Sequence, residues 1–294
     1  MVNIWCHRKC YKLGDFFRNF ISTNFLSKMK YPKLKEFRLY ALRYEPQPII
    51  KLLEKSKNVD EFKKLLANIS KRDILRIKAR TRNQSQDASW FEYRKCLITG
   101  TVIQRVVNAV KRETSSSSLN EAISKFGYRK FTCEAIEYGL KNEVNALNAL
   151  WIEFSKNHVA PQQHKVGICL DPELPIIGGS PDLILSCVYC SSIPGERYYF
   201  IAEAKCPFKL RDSGIKNWRD LAYLTENCEL KKNHSYYYQQ NLYCGITGYK
   251  HCYFIIWTPQ GHLTLKIEFD EELFSLMKVS ARKYYFNHYI KDIL

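Results

Sequence analysis

Two short segments, Gly178-Gly179-Ser180-Pro181-Asp182 and Ile201-Ala202-Glu203-Ala204-Lys205, leave few ways to fold the chain between them. Residues near 182–188 and 198–205 have strand composition, and Ser191-Ser192-Ile193-Pro194-Gly195 between them is turn sequence. Asp182 and Glu203 are 21 residues apart, so if they face each other the midpoint falls inside that turn. A hairpin then brings both carboxylates to the same end of the strand pair. Alternation along the second strand puts Glu203 and Lys205 on one face. Beside a run as apolar as Tyr198-Tyr199-Phe200-Ile201-Ala202, a Glu and a Lys are costly to bury unless they meet a partner or a metal.

The chemistry of these types is suggestive. Two hard carboxylates can hold Mg²⁺, with Mn²⁺ as a substitute, and the ion keeps waters for a phosphate. A lysine at its edge can orient or deprotonate the attacking water and offset developing charge. The plainer alternative is a strand-starting Asp beside a structural Glu–Lys pair. A third acid lies on a long helical pattern over about 134–154. Ile136, Leu140, Glu143, Leu147, Leu150 and Phe154 form one stripe at helical spacing, with Glu143 its only charged member. That carboxylate is either a metal ligand or a stripe-edge residue whose head reaches water.

Elsewhere the patterning is mixed. Residues 1–47 are basic and aromatic, broken by Pro32 and Pro46, and helical spacing follows over 49–56 and 59–69. Asp60 and Asp73 suit helix starts. The polar stretch 79–89 reads as a linker, and Thr114-Ser115-Ser116-Ser117-Ser118 as a flexible insert. Helices are expected over 101–112, over 233–246 and after Asp270, and further strands near 251–257 and 263–269. This order predicts an α/β fold, a mixed sheet flanked by helices.

Charge is unevenly spread. The chain carries 46 Lys and Arg against 29 Asp and Glu, and residues 1–95 hold 23 of the basic and 9 of the acidic side chains. A basic region on a nearly balanced body points to a polyanionic partner, with plain solubility as the alternative. No apolar run reaches membrane-span length and the first residues lack the apolar core of a signal peptide, so no membrane role and an intracellular, reducing compartment are expected. The 11 cysteines fit reduced thiols. Cys187-Val188-Tyr189-Cys190 has metal-type spacing, but a second pair or a nearby histidine pair is missing and Cys6-His7-Arg8-Lys9-Cys10 is far away. Thiols in a hairpin are expected there rather than zinc.

The motifs resemble a known family, the PD-(D/E)XK nucleases, and within it the lambda exonuclease-like, YqaJ-type viral recombinase nucleases. Trp90-Phe91-Glu92-Tyr93-Arg94-Lys95-Cys96-Leu97-Ile98-Thr99-Gly100-Thr101 is similar to the family's W-x-x-x-R-x-G-x-I-T-A-S. Gly139 to Glu143 resembles its G-x-x-x-E, Ser180-Pro181-Asp182 its S-P-D, Glu203 to Phe208 its E-[LIV]-K-C-P-[FY], and Tyr236 to Asn241 its Y-x-x-Q-x-Q. Cys96, Gly100, Thr101 and Asn241 depart from the pattern.

The resemblance implies a restriction-endonuclease-like core over 86–294, with 1–85 a basic, mostly helical region of unknown role. It implies Mg²⁺ on Asp182, Glu203 and the carbonyl of Ala204, with Glu143 completing or tuning the site. Lys205 would act on the nucleophilic water and Gln239 would position that water or the Lys205 head. Arg94 and Thr101 would grip a terminal 5′-phosphate, and Thr101-Val102-Ile103-Gln104 independently reads as a capping box opening a phosphate-binding helix end. A surface salt bridge is the alternative for Arg94. The implied activity is 5′–3′ exonucleolytic hydrolysis of duplex DNA in recombination or end processing. An endonuclease, an RNA-cleaving enzyme and an inactive nucleic-acid binder are the alternatives. Relatives that form rings of three imply a homo-oligomer, and the family context implies a single-strand annealing protein as partner.

Overall fold

The computed structural model describes residues 45–124, 133–188, 190 and 196–294. Three short helices come first, α1 (Ile49–Lys55), α2 (Val59–Ala67) and α3 (Lys71–Arg80). Two of them start where the sequence supplies a cap. Asn58 accepts the Glu61 amide, and Ser70 and Asp73 cap α3 reciprocally. Their apolar faces are buried through Leu53, Phe62 and Ile77, and Phe62 stacks on Tyr285 at 6.1 Å between ring centres. Pro46–Leu294 is accordingly one compact unit, with no break in packing at 85/86.

The stretch 79–89 is not a linker. It finishes α3, makes a 3₁₀ turn at Gln84–Gln86 and opens α4 (Ala88–Arg94). Two of its polar side chains serve buried backbone, while Arg82, Asn83, Ser85 and Gln86 face solvent. Thr81 Oγ1 accepts the Ile168 amide at 2.8 Å, and Gln84 Nε2 donates to the carbonyls of Val166 and Pro181 at 3.0 and 2.8 Å. Next come α5 (Ile103–Lys111) and α6 (Ser117–Ser124), so the serine run expected to be a flexible insert begins a helix. Helix α5 is capped at Val102 with no side-chain cap bond, so the expected capping box does not form.

Helix α7 (Glu134–Asn157) leads into β1 (Gln162–His164), the short pair β2 (Cys169–Leu170) and β3 (Gly178–Gly179), then β4 (Leu183–Cys187) and β5 (Tyr198–Lys205). After α8 (Ser235–Thr247) follow β6 (His251–Thr258), β7 (Gly261–Glu268) and α9 (Glu271–Tyr284). The main sheet has the order β1-β4-β5-β6-β7. It is antiparallel except between β5 and β6, whose connection crosses over through α8. The sheet is mixed and flanked by helices, as the sequence predicts. The residues of the expected turn, 191–195, lie outside those described, as do residues 1–44 with the Cys6–Cys10 segment.

Period-two alternation divides β5 between two cores. Phe200, Ala202 and Ala204 face α7, packing with Ala146, Leu150 and Phe154. Ile201 belongs to the larger core with Leu242, Phe254 and Met277. Helix α8 is buried almost all round, from Tyr237 to Cys244, as befits a helix that carries a crossover under a sheet. The apolar stripe expected on α7 holds only in its second half. Leu150 and Phe154 are buried, whereas Ile136 and Leu140 are 46% and 64% exposed, because the α7 residues in the sheet-facing core begin at Ala146.

Candidate active site

The hairpin register pairs Leu183 with Ala202, which in the same register sets Asp182 opposite Glu203 where β4 begins and β5 ends. The amide of Ala204 donates to Asp182 Oδ2 at 2.8 Å and fixes that carboxylate against the strand end. On the β5 face that alternation predicts, Lys205 Nζ donates to Glu203 Oε1 at 2.8 Å. Gln239 enters from α8, its Nε2 donating to the same Oε1 at 2.9 Å and lying 3.0 Å from the Tyr243 hydroxyl. Gln239 thus touches the Glu203 carboxylate. Glu143, half-buried on α7, interacts electrostatically with Glu203 and Lys205.

These contacts leave one oxygen unaccounted for. Glu203 is 3% exposed, and its Oε2 is buried with no hydrogen-bond partner. Burial, then the neighbouring Glu203 carboxylate, pushes Asp182 well above the ordinary carboxylate range, against the pull of Lys205 and of the Ala204 amide. Burial and Glu203 push Glu143 up in the same way. Burial works against the Lys205 ammonium, but Glu203 and Asp182 outweigh it and hold Lys205 above its ordinary value. Lys205 also lies 5.3 Å from the centre of the Tyr236 ring. An orphaned buried carboxylate oxygen among mutually repelling acids fits a divalent cation, and hard oxygen donors suit Mg²⁺ or Mn²⁺. The residues present that would hold it are Asp182, Glu203 and Glu143, with the Ala204 backbone beside them.

The segment of Arg94 and Thr101 reaches the site along β3. Ile98 pairs with Ile177, its amide donating to the Ile176 carbonyl at 2.8 Å and its carbonyl accepting the Gly178 amide at 3.2 Å. Arg94 is buried, 4.4 Å over the Trp90 ring. Burial pulls its guanidinium down to about 10 while Tyr243, Glu203 and Asp182 oppose the fall, so it stays charged beside the acids. Thr101 is exposed, and its hydroxyl pairs with that of Thr99 at 2.9 Å instead of capping α5. It follows Gly100, where an added Cβ would come within 2.7 Å of Gln239 Cγ. At Cys96 φ is 61°, in the left-handed region, which gives a physical reason for the family's glycine at that position. Asn241 sits under the fold rather than at the site, its Oδ1 accepting the Asp270 amide at 2.7 Å.

Sequence reasoning gave no role to three contributors. Trp90 Nε1 donates to Ser180 Oγ at 2.9 Å and ties α4 to the turn before Asp182. Tyr243 is buried where Gly179 makes room, since a Cβ there would sit 2.3 Å from the ring. Gln84 holds the Pro181 carbonyl next to Asp182. The i, i+4 spacing of Gln239 and Tyr243 on one helix was the available signal.

A mixed sheet whose hairpin end gathers Asp182, Glu203 and Lys205 defines a nuclease of the PD-(D/E)XK type. Solved exonucleases share this fold. LHK-Exo, an alkaline exonuclease from Laribacter hongkongensis, is 17% identical with a TM-score of 0.50, covering 70% of this chain and 96% of its own. Its complex with dAMP is 19% identical with a TM-score of 0.51, at the same coverage. A SOX–DNA complex is 12% identical with a TM-score of 0.52, covering 83% of this chain and 78% of its own. No curated protein matches the chain in sequence. Residues 2–214 match the viral alkaline exonuclease family, and the chain belongs to that family. That match spans Arg94, Thr101, Glu143, Asp182, Glu203 and Lys205, in accord with the resemblance carried by the motifs.

Proposed function

We propose that this nuclease is a Mg²⁺-dependent deoxyribonuclease that hydrolyses duplex DNA from a 5′ end, in recombination or end processing. The observation that carries the reading is the orphaned Oε2 of Glu203, set among Asp182, Glu143 and the Lys205 ammonium. A divalent ion bound there would supply Lewis-acid polarisation of the phosphate and a more acidic water.

The chain's own groups define the rest. Lys205, ion-paired to Glu203, is held where its head would orient or deprotonate the attacking water, or offset charge developing on a phosphate oxygen. Glu203 Oε1 is engaged by both Lys205 and Gln239, which holds the carboxylate and leaves Oε2 as the oxygen without a partner. Asp182, pinned by the Ala204 amide, presents its other oxygen. Arg94 supplies a permanent positive charge near the acids, which suits a terminal phosphate, with the Thr101 hydroxyl exposed on the same segment. Among the solved relatives, LHK-Exo is seen with dAMP and SOX with DNA, which supports a nucleotide or DNA ligand for the shared fold.

The test is a comparison of substrates: linear duplex with 5′-phosphate or 5′-hydroxyl ends, closed circular duplex, and RNA, each with Mg²⁺ or EDTA. The proposal expects Mg²⁺-dependent loss of the 5′-phosphorylated linear duplex, slower loss of the 5′-hydroxyl form and intact circles. Cleavage of circles, or faster cleavage of RNA than of linear duplex, would overturn it.

A further inference from the structure

A second cluster of metal-ligating side chains stands away from the carboxylates. His158 caps the C-terminal end of α7, Cys187 ends β4, and Cys190 follows three residues later. One ligand atom from each lies within 4.8 Å of the other two. The fold thereby supplies the histidine that the CxxC motif lacks in sequence. Glu143 and His158 are 15 residues apart on and just past one helix. At the α-helical rise this is about 22 Å, so the cluster is separate from the site already described.

The state of the histidine is readable from its partners. Nδ1 lies 2.9 Å from the Phe154 carbonyl, an acceptor only, so Nδ1 carries the proton and donates it. The lone pair is therefore on Nε2, whose near neighbour is the Tyr253 hydroxyl at 3.4 Å. Histidines that bind metals are commonly oriented this way, one ring nitrogen donating to a carbonyl while the other coordinates. Packing fixes the ring as well: it stacks on Phe154 at 3.8 Å between centres and meets Phe200 and Tyr253 edge-on. Cys187 is buried while Cys190 is exposed, so one sulfur is anchored and the other can close onto an ion.

We infer that His158, Cys187 and Cys190 form a zinc site. Two thiolates and an imidazole are soft and borderline donors, which select Zn²⁺ over Mg²⁺. Zn–S and Zn–N bonds of about 2.3 and 2.0 Å place tetrahedral ligands roughly 3.5–3.8 Å apart. The three ligand atoms, within 4.8 Å of one another, would draw in to that spacing around an ion, with solvent in the fourth position. The ion would tie the end of α7 to the far end of the β4–β5 hairpin. Both elements carry acids of the first site towards their other ends, so the role is a structural brace.

The experiment uses the full chain, purified under reducing conditions without chelator. Zinc is measured by elemental analysis, and Co²⁺ replacement is followed by the thiolate-to-cobalt absorption band. The expected result is about one zinc per chain and a tetrahedral cobalt spectrum. Cys190→Ser and His158→Gln should each weaken zinc at least ~10-fold in competition with a chromophoric chelator, with circular dichroism unchanged. Wild-type protein that takes up neither zinc nor cobalt would overturn the inference. So would a Cys187–Cys190 disulfide in protein kept reduced, or wild-type affinity in both variants. Because the wild-type cobalt spectrum is read without any mutation, a misfolded variant leaves the test intact.

Discussion

Lys205 Nζ lies 2.8 Å from Glu203 Oε1, while Oε2 of the same carboxylate is buried with no hydrogen-bond partner. One oxygen is saturated and the other is left bare. Leaving a buried acceptor unmet costs about 1–3 kcal/mol, and more when it is charged, a cost that a cation bound there would relieve. The proposed activity and most of its tests follow from this asymmetry.

Replacing Lys205 separates chemistry from binding. Lys205→Ala should retain DNA affinity within a few-fold and lose at least ~10²-fold in single-turnover rate, the scale of a positioned acid–base group. Fluorescence anisotropy and rapid quench on the same duplex give the two numbers. Near-wild-type cleavage removes Lys205 from the mechanism.

The support behind Gln239 is equally specific. Gly179→Ala forces a Cβ to within 2.3 Å of the Tyr243 ring, which holds the Gln239 amide at 3.0 Å. Overpacking of this kind costs about 1–3 kcal/mol. Urea denaturation should show that loss, and the rate should fall by more than the KM rises. An unchanged midpoint would mean that the ring moves freely.

Acidity of the cluster sets a pH dependence. In the folded, ion-free protein Asp182 and Glu143 are raised, by burial first and then by Glu203. A raised group favours the fold at low pH and withdraws that contribution as pH climbs through its folded value. The ion-free protein therefore weakens from roughly pH 4 upward on account of these two groups. Mg²⁺ needs the deprotonated carboxylates, so the melting-temperature gap between Mg²⁺ and EDTA should widen from about pH 5 to about pH 8. A constant or shrinking gap would place the ion elsewhere.

Two truncations should behave differently. Residues 1–45 carry 10 basic and 3 acidic side chains. Removing them should flatten the salt dependence of DNA binding, because fewer released counterions means a shallower slope. Removing 1–85 takes Phe62 and Ile77 out of the core, and one buried Phe lost is already worth about 3–5 kcal/mol. That variant should fail to give a cooperative melting transition. An identical salt slope for wild type and the shorter truncation would make the N-terminal charge a matter of solubility.

Much of this site is legible in the sequence because β-structure is regular. The spacing of Asp182 and Glu203 gives the hairpin register, and the two-residue step from Glu203 to Lys205 gives the shared face. Helix α8 and the last hairpin follow from local pattern as well. What escapes the sequence depends on contacts between distant segments. Gln84 and Thr81 look like linker residues because their partners, Pro181 and Ile168, lie far along the chain. The exposed Ile136 and Leu140 look like core because a helical stripe does not announce where the sheet beneath it ends. His158 looks unrelated to Cys187 and Cys190 until α7 is laid across the sheet.

The central claim is that Glu203 and Asp182 share a divalent ion. Mn²⁺ titrated into the full chain, with free ion counted by electron paramagnetic resonance, tests it without any substrate. Wild-type protein should show a binding class that Glu203→Gln and Asp182→Asn each weaken at least ~10-fold while Lys205→Met retains it. Equal Mn²⁺ binding by wild type and both carboxylate variants would contradict the account.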